Sequence, residues 1–410
     1  MTTTLAINGE RLWQGLMALA EIGGFGEGGV NRQALTDQEH EAWAWFLAEA
    51  RALGLEPATD AAANLFLTLP GRDRSLAPVL IGSHMDSQPT GGRFDGIYGV
   101  LAGFEVIHSL VDAGHRPLRD VTLVAWMNEE GGRFAPGMMG SEFFTGMRDI
   151  GAIRTAQDSD AVTCGAEIDR LHRAFPDLPL RAPFTPHCYI EPHIEQGPEL
   201  ERGRQVIGAV AGIQGKVTME VCLTGARGHA GTEPMAGRRD AVMAFARAAL
   251  AQQAIARGAG PEIRFTIGRV EVSPNAPSVI AGELRYRIDL RHPSNDTLDR
   301  VAAQMRAAVV SEAAPCIASV EVLVHAPSNL FDPGLRGAIR ASAARHGYAS
   351  RDIASAAGHD ARHLAGLCPS AMIFIPCHGG ISHDPAESIE PAHASAGAQV
   401  LADLVIAEAG

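Results

Sequence analysis

The sequence predicts an α/β domain with a mixed, largely parallel sheet, interrupted by an inserted α+β domain. Three observations lead there. Short apolar runs end at polar or glycine-containing segments, with a helix-length apolar stretch between the first two. Near Gly212 the pattern changes to alternating strands and long helices, and beyond His325 the first style resumes. At 410 residues the chain also exceeds what one hydrophobic core usually organises, so two domains are expected.

Each element has its own signal. Thr36 followed by Glu39 has the form of a capping box, and Trp43, Phe46, Leu47 and Ala50 then recur at helical spacing before Gly54. Pro78 to Gly82, Val121 to Met127 and Tyr189 to Ile194 read as buried strands because they are short and bounded by breakers. Ile97 to Leu110 is apolar enough for the helix between the first two, and strand–helix–strand order is that of a parallel sheet with crossover helices. Lys216 to Thr224 alternates like a half-exposed strand. Arg238 to Arg257 reads as a helix, Ile263 to Val272 and Val279 to Leu290 as strands, Asp296 to Glu312 as a helix and Ser319 to His325 as a strand. That order is ferredoxin-like. Leu335 to His346 is then helical, Ala371 to Ile375 a buried strand and Ala392 to Ala409 a final helix, while Gly151 to Pro186 is poorly patterned and reads as loop and short helix. The first domain is expected over 1–212 and 328–410 and the insertion over 213–327, with Gly212 and Gly215 offering a hinge.

Composition excludes several functions. Forty-seven acidic against thirty-four basic side chains leave a net charge of −13, which repels phosphate backbones and argues against nucleic acid or an anionic membrane as partner. No stretch approaches the roughly 20 apolar residues of a membrane span. Met1 to Trp13 lacks the basic-then-apolar order of a secretory signal, so a cytoplasmic location is expected. The six cysteines show no C-x-x-C spacing, and most of them read as buried free thiols.

The ends of the apolar runs carry the chemistry. The first runs into Gly82-Ser83-His84-Met85-Asp86, with Asp95 following on a glycine-rich loop. An imidazole and a carboxylate there form a plausible ligand pair, because ligands of open α/β sheets gather at the strands' carboxyl edge. Asp86 is placed to hold the other nitrogen of His84. The second run ends in Asn128-Glu129-Glu130, adjacent carboxylates that repel unless a cation or proton lies between them. The third ends in Glu191-Pro192-His193, and His383 lies just beyond Ala371 to Ile375. His84, Asp95, Glu130, His193 and His383 together form a mixed nitrogen and oxygen set for two divalent ions, with zinc, manganese, cobalt and nickel all suitable. Spacing alone leaves Glu129 and Glu130 interchangeable.

These segments resemble the di-metal aminoacylase and carboxypeptidase superfamily, in particular its hydantoinase/carbamoylase amidase branch: N-carbamoyl-L-amino acid hydrolases, β-ureidopropionases and allantoate amidohydrolases. The resemblance runs through Gly82-Ser83-His84-Met85-Asp86-Ser87, Gly92-Arg93-Phe94-Asp95-Gly96, Asn128-Glu129-Glu130-Gly131, His193-Ile194-Glu195-Gln196-Gly197, Gly228-His229-Ala230-Gly231, Gly358-His359-Asp360-Ala361 and Gly380-Ile381-Ser382-His383. His193 marks the branch, since aminopeptidase and deacylase relatives commonly place an acidic ligand there. The resemblance implies that Asp95 bridges two metals, that His84 and His193 complete one and Glu130 and His383 the other, and that Glu129 is the general base. It also implies that His229 and Asn275 polarise the scissile carbonyl, with the histidine commonly supplied by the partner subunit, and that Arg291 pairs with a substrate carboxylate. Gln196 and Gly358 are further candidates for substrate contact, and His359 and Asp360 for support behind the ligands. A homodimer through the inserted lid domain is implied as well.

The expected activity is hydrolysis of a ureido carbon–nitrogen bond. Asp86-Ser87-Gln88-Pro89-Thr90 and Ile375-Pro376-Cys377 look more like carbamoylases and β-ureidopropionases than allantoate hydrolases, which makes allantoate the competing substrate. A silent descendant that binds ureido or amino acid ligands is the alternative of another class, and loops including Phe134 to Met139 set the side-chain preference.

Overall fold

The structure, a computed structural model, describes residues 5–410. Two compact units make up the chain, one reaching to Ala211 and resuming at Leu330, the other Gly212–Asn329.

The first unit is built on a sheet in the order Asn329–Leu330, Ile207–Ile213, Ser370–Ile375, Cys188–Ile194, Val79–His84, Val121–Trp126, Leu65–Leu69, Glu56–Thr59, with Ser350–Ser355 paired to Ile207–Ile213. The middle strands, Ser370–Ile375 through Val121–Trp126, are parallel, and antiparallel pairs flank them. Every residue of these four is buried, which explains their unbroken apolar runs. Their register aligns Val79 with Val121 and Cys188, and Ile375 with Ile194. Their carboxyl ends therefore share one edge.

Helices cover the sheet. In Asp37–Ala52 the Thr36 side chain accepts from the Glu39 N–H, but the Glu39 carboxylate turns to the N–H of Leu35, one residue before the cap. Trp43, Phe46, Leu47 and Ala50 are buried as their spacing requires. Ile97–Asp112 is buried along almost its whole length, with Gly99 pressed so close to the Pro192 carbonyl that a side chain there would collide with it. Gly9–Glu21 and Pro391–Ala409 complete this layer, the former capped by Asn8.

The second unit is a four-stranded antiparallel sheet in the order Arg264–Ser273, Glu283–His292, Gly215–Thr224, Ile317–Ala326. Val217, Met219, Val221 and Leu223 alternate inward into a core shared with Ala241–Gly258 and Asn295–Glu312. This is the ferredoxin-like arrangement.

Two expectations need correction. The helix expected from Arg238 begins at Ala241, because Asp240 caps it and Met235–Gly237 is a separate short turn. The strand expected over Val279 to Leu290 is split: Val279–Ile280 pairs with Gly228–His229, and the chain re-enters the sheet only at Glu283. Gly215 opens the strand Gly215–Thr224, where it pairs with His292 and a side chain would press on Leu298 and on the Ser328 backbone. The poorly patterned stretch holds the helix Cys164–Ala174, capped by Thr163, and begins within Ile150–Thr155. No helix among the described residues is long and apolar enough to cross a membrane. All six cysteines are free.

Candidate metal centre

The parallel strands deliver side chains to one edge of the first unit. His84 is the last residue of its strand, His193 the next-to-last of its own, and Glu129 and Glu130 follow Val121–Trp126 after two residues. Asp95 sits just before Ile97–Asp112 on a loop where Gly96 adopts a φ of 65° directly against the His84 ring, leaving no room for a Cβ. His383 lies past Ser370–Ile375 with a φ of 57°.

Two ligand groups result: His84, Asp95 and His193, and Asp95, Glu130 and His383. Asp95 Oδ1 lies 3.7 Å from His84 Nε2 and 3.2 Å from His193 Nε2, while Oδ2 lies 3.3 Å from His383 Nε2. His383 Nε2 is also 3.3 Å from Glu130 Oε2. Ligands about 2.0–2.1 Å from a tetrahedral ion stand about 3.3 Å apart, so these separations suit coordination. One oxygen of Asp95 faces each group.

The donor chemistry fits as well. Nδ1 of His84 is 3.0 Å from the Asp86 carbonyl and Nδ1 of His193 is 2.9 Å from the Ile194 carbonyl. With those nitrogens protonated, each Nε2 presents a lone pair inward. Nε2 of His193 is buried and, despite its closeness to Asp95, makes no aligned hydrogen bond. A third grouping, Glu191, His193 and His359, shares His193. Its Glu191 oxygens already accept from Ser83 Oγ and the Ala361 N–H, and His359 Nε2 is 3.0 Å from Ser355 Oγ, so it is a support layer rather than a centre.

Electrostatics favour a cation at this edge. Burial disfavours the Asp95 carboxylate, but His193 and His383 against its oxygens hold its pKa well below the usual range. Burial, then Asp95, pushes Glu130 up to about 8. Burial, then the neighbouring Asp360 and Glu130, pushes Glu129 well above the carboxylate range. Burial takes His84 down to about 4, whereas the Asp95 hydrogen bond lifts His383 to about 9. Buried acids that resist ionising together are what a cation would stabilise.

Glu129 belongs to neither ligand group, and its Oε2 lies 3.6 Å from His84 Nε2. Asp86 holds the other nitrogen of His84 as expected, through its carbonyl at 3.0 Å with its carboxylate Oδ1 3.6 Å away, and that carboxylate also accepts the N–H groups of Glu129 and Glu130, each at 3.1 Å. Gln196 donates to Asp95 Oδ2 at 2.7 Å and leaves its buried Oε1 without a partner. Asp360 is buried, and its carboxyl is pushed well above the usual range by burial and Glu191. The His359 ring stands 4.5 Å from that of His193. Gly358 lies beside the Met138 thioether, on the Phe134 to Met139 segment, where the Met138 N–H returns to the Glu129 carbonyl.

His229, Asn275 and Arg291 belong to the second unit. His229 is exposed on the strand pair with Val279, Asn275 has a φ of 53°, and Arg291 is held by Asp289, Nε to Oδ1 at 2.7 Å. Sequence reasoning missed Glu387, Ser382 and Gln88. Glu387 accepts from the N–H groups of Phe94 and Asp95, Ser382 Oγ touches Asp95, and Gln88 donates to Glu130 Oε2 at 2.9 Å. Ser382 and Gln88 lie inside the segments that carry the resemblance, close to His383 and Asp86, whereas nothing signalled Glu387.

A parallel-centred α/β sheet whose edge gathers imidazoles and carboxylates around a shared aspartate defines a metal-dependent hydrolase. Comparison narrows that class. The family described as Peptidase family M20/M25/M40 matches residues 80–407. An N-carbamoyl-L-amino-acid amidohydrolase of Rhizobium meliloti is 38% identical over 402 residues, spanning 98% of this chain and 96% of that protein. An allantoate amidohydrolase of Escherichia coli (strain K12) is 33% identical over 392 residues, 94% of each. The crystal structure of a hydantoinase/carbamoylase family amidase from Burkholderia multivorans superposes with a TM-score of 0.92 at 40% identity, covering 99% of both chains. The chain belongs to Peptidase family M20/M25/M40 and, within it, to the hydantoinase/carbamoylase amidase branch.

Proposed function

We propose that the chain hydrolyses the carbamoyl C–N bond of N-carbamoyl-L-amino acids or β-ureido acids, releasing ammonia, carbon dioxide and the amino acid. The observation that carries this is a centre shared through Asp95 with a buried, uncommitted acid, Glu129, beside it. Two divalent ions would be held by His84, His193 and Asp95 and by Asp95, Glu130 and His383, where they would polarise the carbonyl and acidify the attacking water.

The chain's own groups supply the rest. Glu129 takes the proton of the attacking water and returns it to the departing nitrogen, so that ammonia leaves and the remaining carbamate loses carbon dioxide. The Asp86 carboxylate fixes the backbone that carries Glu129 and Glu130 through their N–H groups. The unpartnered Oε1 of Gln196 accepts a ureido N–H. His229 and Asn275 polarise the carbonyl oxygen, with His229 coming from the partner subunit of a homodimer formed through the second unit. Arg291 grips the substrate carboxylate with its planar fork, in competition with Asp289.

Preference for the carbamoyl substrate is supported by the Asp86–Thr90 and Ile375–Cys377 segments and by the higher identity to the Rhizobium meliloti protein. Ammonia release by metal-reconstituted protein on N-carbamoyl-L-methionine, its D enantiomer, β-ureidopropionate and allantoate tests the reading. Fastest turnover of the L-carbamoyl or β-ureido compound is expected. Comparable rates on both enantiomers would overturn the stereospecific assignment, faster turnover of allantoate would replace it, and no ammonia with any added ion would leave the silent binder.

A further inference from the structure

We propose that Glu387 is a positioning residue that locks the loop carrying Asp95 to the loop carrying His383, and so sets the affinity of the centre for its ions. The role rests on the two-ion reading above. Glu387 is 2% exposed, four residues past His383, and belongs to neither ligand group. Its Oε1 accepts the backbone N–H groups of Phe94 at 2.9 Å and Asp95 at 3.0 Å. Its Oε2 accepts from Ser382 Oγ at 3.0 Å, and that hydroxyl also lies 2.9 Å from Asp95 Oδ2. Gly92 lies against the Glu387 side chain where any Cβ would collide with it, so the Asp95 loop is shaped around this carboxylate.

The geometry asks for an acceptor here. Two N–H groups converge on one oxygen, and an apolar side chain would leave both buried without a partner. The Ser382 hydroxyl has a single proton and meets two carboxylates. A cation on Asp95 leaves that proton to Glu387, which then ties residue 382 to residues 94 and 95 while His383 follows directly. Asp95 belongs to both groups and His383 to one, so a slack tie would loosen the whole centre.

Metal-free protein titrated with Zn2+ against a coloured chelator tests this with Glu387→Leu, Glu387→Gln and Ser382→Ala. Glu387→Leu is expected to weaken Zn2+ binding about 10–100-fold, the usual effect of losing a partner behind the ligands. Glu387→Gln keeps an oxygen for the two N–H groups and is expected to stay within about threefold of wild type. Ser382→Ala is expected to weaken binding about threefold to tenfold, the worth of one hydrogen bond. Unchanged Zn2+ affinity in Glu387→Leu overturns the proposal, even if its metal-free melting temperature falls. Should that variant not fold, unchanged affinity in Ser382→Ala overturns it instead. Wild-type protein that takes up no Zn2+ fails the two-ion reading itself, whereas unaltered variants of a chain that takes up two ions fail only the role of Glu387.

Discussion

At the scale of single residues, the division of labour between Glu129 and Glu130 is the sharpest test. Spacing left the two interchangeable, and geometry separates them: Glu130 meets His383, while Glu129 stands outside both groups. Glu129→Gln should therefore keep its metal content, read by elemental analysis, while kcat falls about 10²–10⁴-fold. Retention of more than a few per cent of activity would refute the assignment. Asp95→Asn removes a charge shared by both groups and should lower the bound metal below that of wild type. The acids also set a pH signature. In metal-free protein Glu130 sits at about 8 against an ordinary 4.5, so folding favours its protonated form. That contribution is fully present below about 4.5 and is lost as pH rises through about 8. The melting temperature of metal-free protein should fall over that window, and added Zn2+ should flatten the fall. The ligands were legible because each adjoins a strong apolar run. Glu387 was not, because its neighbours Phe94 and Asp95 lie almost three hundred residues away in the chain and no local pattern connects them.

At the scale of elements, the four central strands and most of the long helices showed in the sequence, the strands because burial on both faces leaves an unbroken apolar run. The flanking strands did not. Leu65–Leu69 and Ile207–Ile213 are largely buried, but a threonine in the first and two glycines in the second break the run. Glu56–Thr59 and Ser350–Ser355 are short and partly exposed, so their patterns carry little contrast. The break at Gly282 was hidden because its cause is tertiary: its N–H bonds the Ser273 carbonyl, and a side chain there would collide with Arg227. Gly96, which caps Ile97–Asp112, and Gly99 in its first turn make close contacts with the site. Gly99→Ala should push this helix off the Pro192 carbonyl and displace His193, lowering both thermal stability and Zn2+ affinity. Gly96→Ala should act through the His84 ring and the positive φ, with the larger loss in ion binding. A Gly96→Ala protein with wild-type Zn2+ affinity would contradict that placement.

At the scale of the whole molecule, the change of style near Gly212 and its reversal after His325 announced two units, since periodicity changes when a chain passes from a parallel to an antiparallel sheet. Roles assigned to His229, Asn275 and Arg291 could not come from pattern, because turn and surface residues of those types are common. The candidate centre belongs to the first unit, and ions held there would stabilise the fold by mass action. Chelation should abolish ammonia release and lower the melting temperature, about 4 kcal/mol being lost relative to free ion at a thousandfold excess over its dissociation constant. Readdition should restore both.

The strands at which the chain leaves and rejoins the first unit, Ile207–Ile213 and Asn329–Leu330, are neighbours in its sheet, and the Phe331 N–H bonds the Ala211 carbonyl at 3.0 Å. Such adjacency makes the intervening polypeptide a removable cassette: a tight reverse turn could splice the scaffold shut with little closure entropy. On the role proposed for Arg291, the trimmed protein would still chelate its ions, read by Zn2+ titration, yet lose its hold on carboxylated ligands, a separation of grip from discrimination that would open this scaffold to grafted recognition modules.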